Sequence, residues 1–294
     1  MPIDLPAATS FVAGHGRILD RRRLELVLGG GDTAGVLAAL DAHRNPDGGY
    51  GWALEPDLRS AESQPTAGMH AFEVMAEVAP VITPRAVELC DWLEAHTLVD
   101  GGLPFVLPIG DPAGCAPWWL GADSTPSSLQ MTAQVAANAH HVAGHDPAVA
   151  GHPWLATATE WCLAAIGAIE ATPHAYELLF ALQLLDAVAD TVPDADGLIE
   201  RLGRHIPAGG AMPVVGGIEG QRLYPTDFAP EPDRPLRRLF ADEVVAADLD
   251  RLAALQQPDG GWVVDYDSFS PAATLDWRGY ATVRAVAVLE RNAR

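Results

Sequence analysis

The chain has 294 residues, 49% of them hydrophobic and 19% charged, enough for a substantial core in one large domain or two ordinary ones. Its formal net charge is −21 and all eighteen basic residues are arginines, which disfavours nucleic acid and anionic membranes as partners unless the arginines gather on one face. Apolar runs break well short of the ~20 residues of a membrane span, and the odd set Cys90, Cys115 and Cys162 lacks metal-ligand spacing and excludes a disulfide framework.

The first residues, "MPIDLPAATSFVAGHGR", lack a basic start followed by a clean apolar block, so no secretory signal is expected and the cytoplasm is. Arg21, Arg22 and Arg23 fall on an otherwise amphipathic helix and read as a solvated face rather than a phosphate site. Apolar residues then recur at three and four, predicting helices over 33–43, 64–79, 84–97, 126–143, 154–170, 173–190, 194–206, 242–257 and 276–292. Thr83-Pro84, Thr125-Pro126 and Thr172-Pro173 each place a capping hydroxyl before a proline at the first helical position. Only short stretches such as "GWVVDYD" alternate with period two, so the class is all-α.

Glycine-rich helix stops fall at Gly48, Gly101, Gly209 and Gly260, with the middle interval about twice the outer two. That spacing predicts a repeated unit of helix, glycine turn, loop and second helix, altered at 169–177, where a short turn replaces the glycine pair. The segment 210–241 is irregular, with Leu223, Tyr224 and Phe228 favouring order, and reads equally as a lid or as a strut. Second helices such as 126–143 and 173–190 are apolar and charge-poor, whereas 84–97 and 242–257 carry more charge. Two concentric layers follow, an α/α toroid in a single domain over 1–294 with the irregular insertion at 210–241.

"LAALQQPDGGW" at 252–262 resembles the QW motif of the squalene–hopene cyclase and protein prenyltransferase β-subunit toroids. "LDAHRNPDGGYGW" at 40–52 and "WLEAHTLVDGGLPF" at 92–105 are looser copies. In such a motif the Gln bonds backbone at the helix end, the ring packs over the turn and the glycines close the helix. The resemblance implies the toroid fold and a terpenoid cyclase-like enzyme carrying out acid-initiated cyclisation or isomerisation of an apolar, isoprenoid-type substrate. Two family sites are incomplete. The DxDD acid is met only by Asp265-Tyr266-Asp267-Ser268, and the zinc set of the prenyltransferases is missing, since no Cys follows Cys162 and the last His is His205. No metal and no cofactor are expected.

Residues just before and inside the starts of the second helices are expected to converge on a cavity. They are Glu55, Asp57, Gln64 and His70; Trp118, Trp119, Asp123 and Gln130; His174, Tyr176 and Glu177; and Asp265, Asp267, Asp276, Trp277 and Tyr280, with Tyr224 on the irregular segment. A desolvated carboxylic acid beside aromatic faces suits cation chemistry. Asp265 and Asp267 are the first-choice acids, with His174 as a further catalytic candidate and the others, Asp123 and Gln130 apart, as substrate-binding residues. Competing structural roles are plain: Asp47, Asp100 and Asp259 belong to turns, Asp276 suits the N-cap of the last helix, and His140, His141 and His145 complement a helix C-terminus. Two other functions compete, a non-catalytic toroid binding a hydrophobic ligand or partner protein, and a carbohydrate-active hydrolase or lyase.

Overall fold

A computed structural model describes residues 3–266 and 268–293, and the protein is all-α as expected. Its helices are α1 (Leu5–His15), α2 (Ile18–Val27), α3 (Thr33–Leu40), α4 (Pro65–Glu77), α5 (Pro84–His96), α6 (Pro117–Leu120), α7 (Leu129–Ala143), α8 (Pro147–Ala150), α9 (Pro153–Gly167), α10 (Ala175–Ala187), α11 (Ala195–Gly203), α12 (Pro225–Phe228), α13 (Asp242–Ala254) and α14 (Pro271–Asn292). Two-residue strands, β1 (Met212–Pro213) and β2 (Arg222–Leu223), pair antiparallel. Among the described residues no helix is long and apolar enough to cross a membrane. The chain divides into two compact units, 40–199 and 1–39 with 200–294.

In the unit 40–199, α7 lies between α4 and α10 and also packs on α9, while α5 packs on α4, α8 and α9. The central place of α7 follows from its composition. Ala133, Ala136, Ala137 and Ala139 are all buried, and such small side chains let neighbours close in on both sides. On α10, six buried Leu and Ala positions between Leu178 and Leu185 leave little polar surface.

The glycine turns are built alike. Gly48 and Gly101 adopt φ of 92° and 99°, as a left-handed helix stop requires. Asp47 accepts the Trp92 indole N–H at 3.1 Å and the Ser63 hydroxyl at 2.8 Å. Asp100 accepts the Trp161 indole N–H at 3.2 Å and the Ser127 hydroxyl at 2.5 Å. Asp47 therefore ties its turn to α5 and to the residue before the entry of α4, and Asp100 ties its turn to α9 and to the residue before the cap of α7. Gly49 and Gly102 lie flat on those indoles, where a Cβ would sit 2.6 and 2.8 Å from ring carbons.

In the other unit, α14 packs on α1, α2 and α13 around Phe11, Val12, Leu24, Trp262, Val283 and Val286. The last glycine turn faces α1: Gly260 abuts the Ala7 backbone, and Gly261 lies on the Phe11 ring. Gln256 exchanges hydrogen bonds with the Asp4 backbone, accepting from its N–H at 2.8 Å and donating to its carbonyl at 2.9 Å. The Trp262 indole donates to the Leu252 carbonyl at 2.8 Å, closing the end of α13. These QW-like residues are architectural.

Several local expectations change. Ser128 and His174, not Thr125 and Thr172, cap α7 and α10, and Thr83 occupies its cap position without a side-chain bond to the helix backbone, its hydroxyl accepting from Arg85 instead. Helix α14 starts at Pro271 under a Ser270 cap, so Asp276 is inside the helix and not its N-cap. The left-handed residue of the third glycine stop is Gly210, not Gly209. Arg23 is buried beneath Tyr280 rather than on a solvated face, because the ring spreads its π-face over the guanidinium. The segment 210–241 is ordered: Thr226 bonds Asp248 of α13 through its N–H and hydroxyl, and Asp227 pairs with Arg284 of α14 at 2.9 Å.

Candidate functional site

Glu55, Asp57, Gln64 and His70 come together at the start of α4, within the unit 40–199. Pro65 at the first helical position fixes the helix entry, and extended Gln64 turns the chain into it. Upstream, Trp52 and Ala53 adopt left-handed φ of 51° and 59°, two adjacent non-glycine residues in a costly conformation. The chain then buries Glu55 and Asp57 in succession.

His70 sits one turn into α4, 5% exposed. Its Nε2 lies 3.2 Å from Glu55 and its Nδ1 3.2 Å from Glu73. Thr66 donates to the same Glu55 oxygen at 3.4 Å, and the Asp57 amide donates to the other at 3.3 Å. Burial alone pulls the imidazole down, but the hydrogen bonds and charges of Glu55 and Glu73 outweigh it and raise His70 above the ordinary histidine range. The favoured state is an imidazolium held between two carboxylates.

Gln64 anchors the neighbouring loop, accepting from the Leu107 N–H at 2.9 Å and donating to its carbonyl at 3.2 Å. The Asp57 carbonyl accepts the Ala116 N–H at 2.8 Å. Those contacts carry the Phe105–Trp119 stack, with centroids 5.0 Å apart. Trp119 is buried and Trp118 exposed. Among the described residues the Trp119 indole nitrogen and the Ser60 hydroxyl are buried without a partner.

The remaining candidates in this unit have local roles. His174 is exposed and accepts the Tyr176 N–H at 3.4 Å as the cap of α10. Tyr176 stacks on Phe180, and Glu177 lies in the first turn, where a carboxylate complements the helix dipole. Asp123 accepts the Thr125 N–H and hydroxyl, which hold its carboxyl below the usual range. Asp91, Glu94 and His152 bring three ligand atoms within 4.8 Å of one another. His152 already accepts the Trp154 N–H on Nδ1 as the cap of α9, which leaves its Nε2 proton for Asp91 at 3.1 Å.

In the second unit, Asp265 is exposed as a residue, yet its carboxyl is raised, first by local burial and then by the Asp227 charge. The Arg222 amide and Arg251 act in the opposite sense. Tyr224 lies under the Arg251 guanidinium, 3.5 Å from its ring centroid, and Arg251 pairs with Asp248 at 2.7 Å. Trp277 meets Tyr266 and Tyr280 edge-on at 5.3 and 5.6 Å. Asp276 lies close enough to Arg17 to stabilise its charge. Asp267 falls outside the described residues.

Sequence reasoning missed Glu73 and Ser60. Glu73 reads as an ordinary helical carboxylate, but its spacing of three from His70 was the available signal. Nothing in the sequence marked Ser60.

No family model matches the chain, and no curated protein does. Among solved structures, the crystal structure of a protein from Actinoplanes is similar, at 16% identity and a TM-score of 0.55 over 95% of this chain and 90% of that one. At that identity the likeness shows a shared fold and carries no chemistry.

Proposed function

We propose that this protein is a cytoplasmic, terpenoid cyclase-like enzyme of the α/α-toroid type, in which Glu55, backed by His70 and Glu73, donates a proton to a neutral, apolar substrate. The observation that carries this reading is the buried imidazole bonded on both nitrogens by carboxylates. Such a pair stores a proton in a low-dielectric place, and transfer from Nε2 to Glu55 would arm the carboxyl without a net change of charge. The toroid reading is supported by the outer-helix, glycine-turn, inner-helix unit recurring at Gly48, Gly101 and Gly260. Three free, buried cysteines suit a reducing compartment.

The chemistry narrows the substrate. Two carboxylates and one imidazolium sum to a negative cluster, which repels a diphosphate and tolerates a neutral molecule. A histidine held above its ordinary range is a mild acid, better matched to an epoxide oxygen than to an isolated alkene. Protonation of the oxygen lets its C–O bond break. The cation rearranges beside the Phe105–Trp119 faces and returns a proton to Glu55, so the product is an isomer of the substrate.

The test is incubation with a panel of neutral, oxygenated and diphosphorylated polyprenyl compounds, followed by product analysis, with E55Q in parallel. Turnover of a neutral member by the native protein alone is expected; no turnover across the panel overturns the reading. A second reading, a non-catalytic toroid binding a hydrophobic ligand, is favoured by the satisfied bonding of His70 and Gln64. It predicts that E55Q changes stability and leaves ligand affinity intact.

A further inference from the structure

The geometry points to a second ligand site on the unit 40–199, a seat for an oxyanion built by Tyr50, Arg44 and Arg85. The turn at Gly48 folds the chain back on itself so that Arg44 and Tyr50 face each other in an antiparallel bridge, with both side chains on the same face. Beside them is an open groove of about 540 Å³ lined by Asp41, Arg44, Asn45, Pro84, Arg85 and Glu88. Tyr50 is 0% exposed, and its hydroxyl has no hydrogen-bonding partner among the described residues. The same holds for the Arg44 Nε. Tyr50 does not line the groove; it lies directly behind it, across the bridge from Arg44, which does. Two buried donors in one place, both without an acceptor, are unusual in a folded protein and call for an oxygen-rich ligand.

The groove is closed by exchangeable parts. Arg44 pairs with Glu88 at 2.5 Å, and Arg85 forks onto Asp41. The two carboxylates are 46% and 39% exposed, so both ion pairs are of the weak surface kind. An incoming phosphate or carboxylate group takes over the two guanidinium forks, as planar guanidinium favours, and releases Asp41 and Glu88 to water. It also gains the Tyr50 hydroxyl and the Arg44 Nε, which the resident carboxylates do not use. Burial pushes the Tyr50 phenol up, so the hydroxyl keeps its proton and stays a donor.

The test is calorimetric titration of the whole protein with inorganic phosphate and, separately, with acetate, at constant ionic strength, for the native chain, Y50F and R44Q. Saturable binding is expected, weakened about tenfold in Y50F, as loss of one hydrogen bond to a charged group implies. Tighter acetate than phosphate binding assigns the seat to carboxylate ligands, and the reverse to phosphorylated ones. Binding of neither anion, or equal affinity in native protein and Y50F, overturns the proposal. Ligand-free Y50F is expected to be at least as stable as the native protein, since the hydroxyl it removes bonds nothing. A marked loss of stability would show a partnered hydroxyl and also overturn it.

Discussion

The Nε2 of His70 lies 3.2 Å from Glu55 across a spacing of fifteen residues, joining the first full turn of α4 to the strained loop that precedes it. A carboxylate on that loop and an imidazole on the helix are each costly to bury alone, and each offsets the other's desolvation. Several consequences can be measured.

His70 sets one pH dependence. Its folded pKa is raised above the ordinary value of ~6.5, so its stabilising contribution is full below that value and is lost as pH rises through the folded pKa. Histidine titration by NMR is expected to show one imidazole retaining its proton above the ordinary range. In H70Q, unfolding free energy should lose that alkaline decline. A native His70 titrating at the ordinary value would contradict the geometry.

His140 behaves in the opposite sense. Burial, with His141 adding to it, pushes its imidazole down to about 4. Its Nε2 lies 2.8 Å from the Thr159 hydroxyl, which itself donates to the Leu155 carbonyl. The neutral form is therefore native, and the unfolded chain takes up a proton that the folded one refuses. Stability is full above ~pH 6.5 and falls as pH drops toward 4, by on the order of 3 kcal/mol. H140Q is expected to remove most of that slope in urea unfolding series at stepped pH.

Glycine substitutions separate the tight turns from the permissive positions. Gly49→Ala puts a Cβ 2.6 Å from Trp92 and Ser63, so a loss of about 1–3 kcal/mol is expected from overpacking. Gly209→Ala meets nothing within 4 Å and should cost less than ~0.5 kcal/mol. Chemical denaturation of the two variants tests the difference; equal losses would contradict the packing of the turn on Trp92.

Gln256 ties α13 to the N-terminal segment through two bonds with Asp4, and to the Gly260 carbonyl at 3.0 Å. Gln256→Ala should cost about 1–2 kcal/mol. The loss should appear as faster amide exchange in α1, with little change in α7. Unchanged protection of α1 would sink this assignment.

Much of the fold was legible because helical periodicity survives in the apolar positions and the glycine stops repeat. Start points were less secure. Thr125 and Thr172 look like caps, yet the chain runs extended past Pro126 and Pro173 before Ser128 and His174 begin the helices. The start of α14 was missed although Ser270-Pro271 carries the same signal, because Asp276 and Trp277 suggested a later one.

At the site, Glu55, Asp57, Gln64 and His70 were visible as polar residues crowded before and into an apolar helix. Glu73 was not, since three-residue spacing is shared by many surface pairs. Left-handed Trp52 and Ala53 run against local preference and are imposed by tertiary contacts, among them the Trp52 indole bond to Asn45 at 2.8 Å. The burial of Arg23 is likewise invisible in "RRR", because it depends on Tyr280 more than 250 residues away.

The central claim, proton donation from the Glu55–His70–Glu73 group, is tested most directly by running the substrate panel with native protein and with E55Q and reading product mass and rate. The account predicts an isomeric product of a neutral, oxygenated substrate, of unchanged mass, with turnover falling at least about a hundredfold in E55Q, as loss of a general acid implies. A product that is not an isomer of its substrate, or E55Q turning over at the native rate, would contradict it.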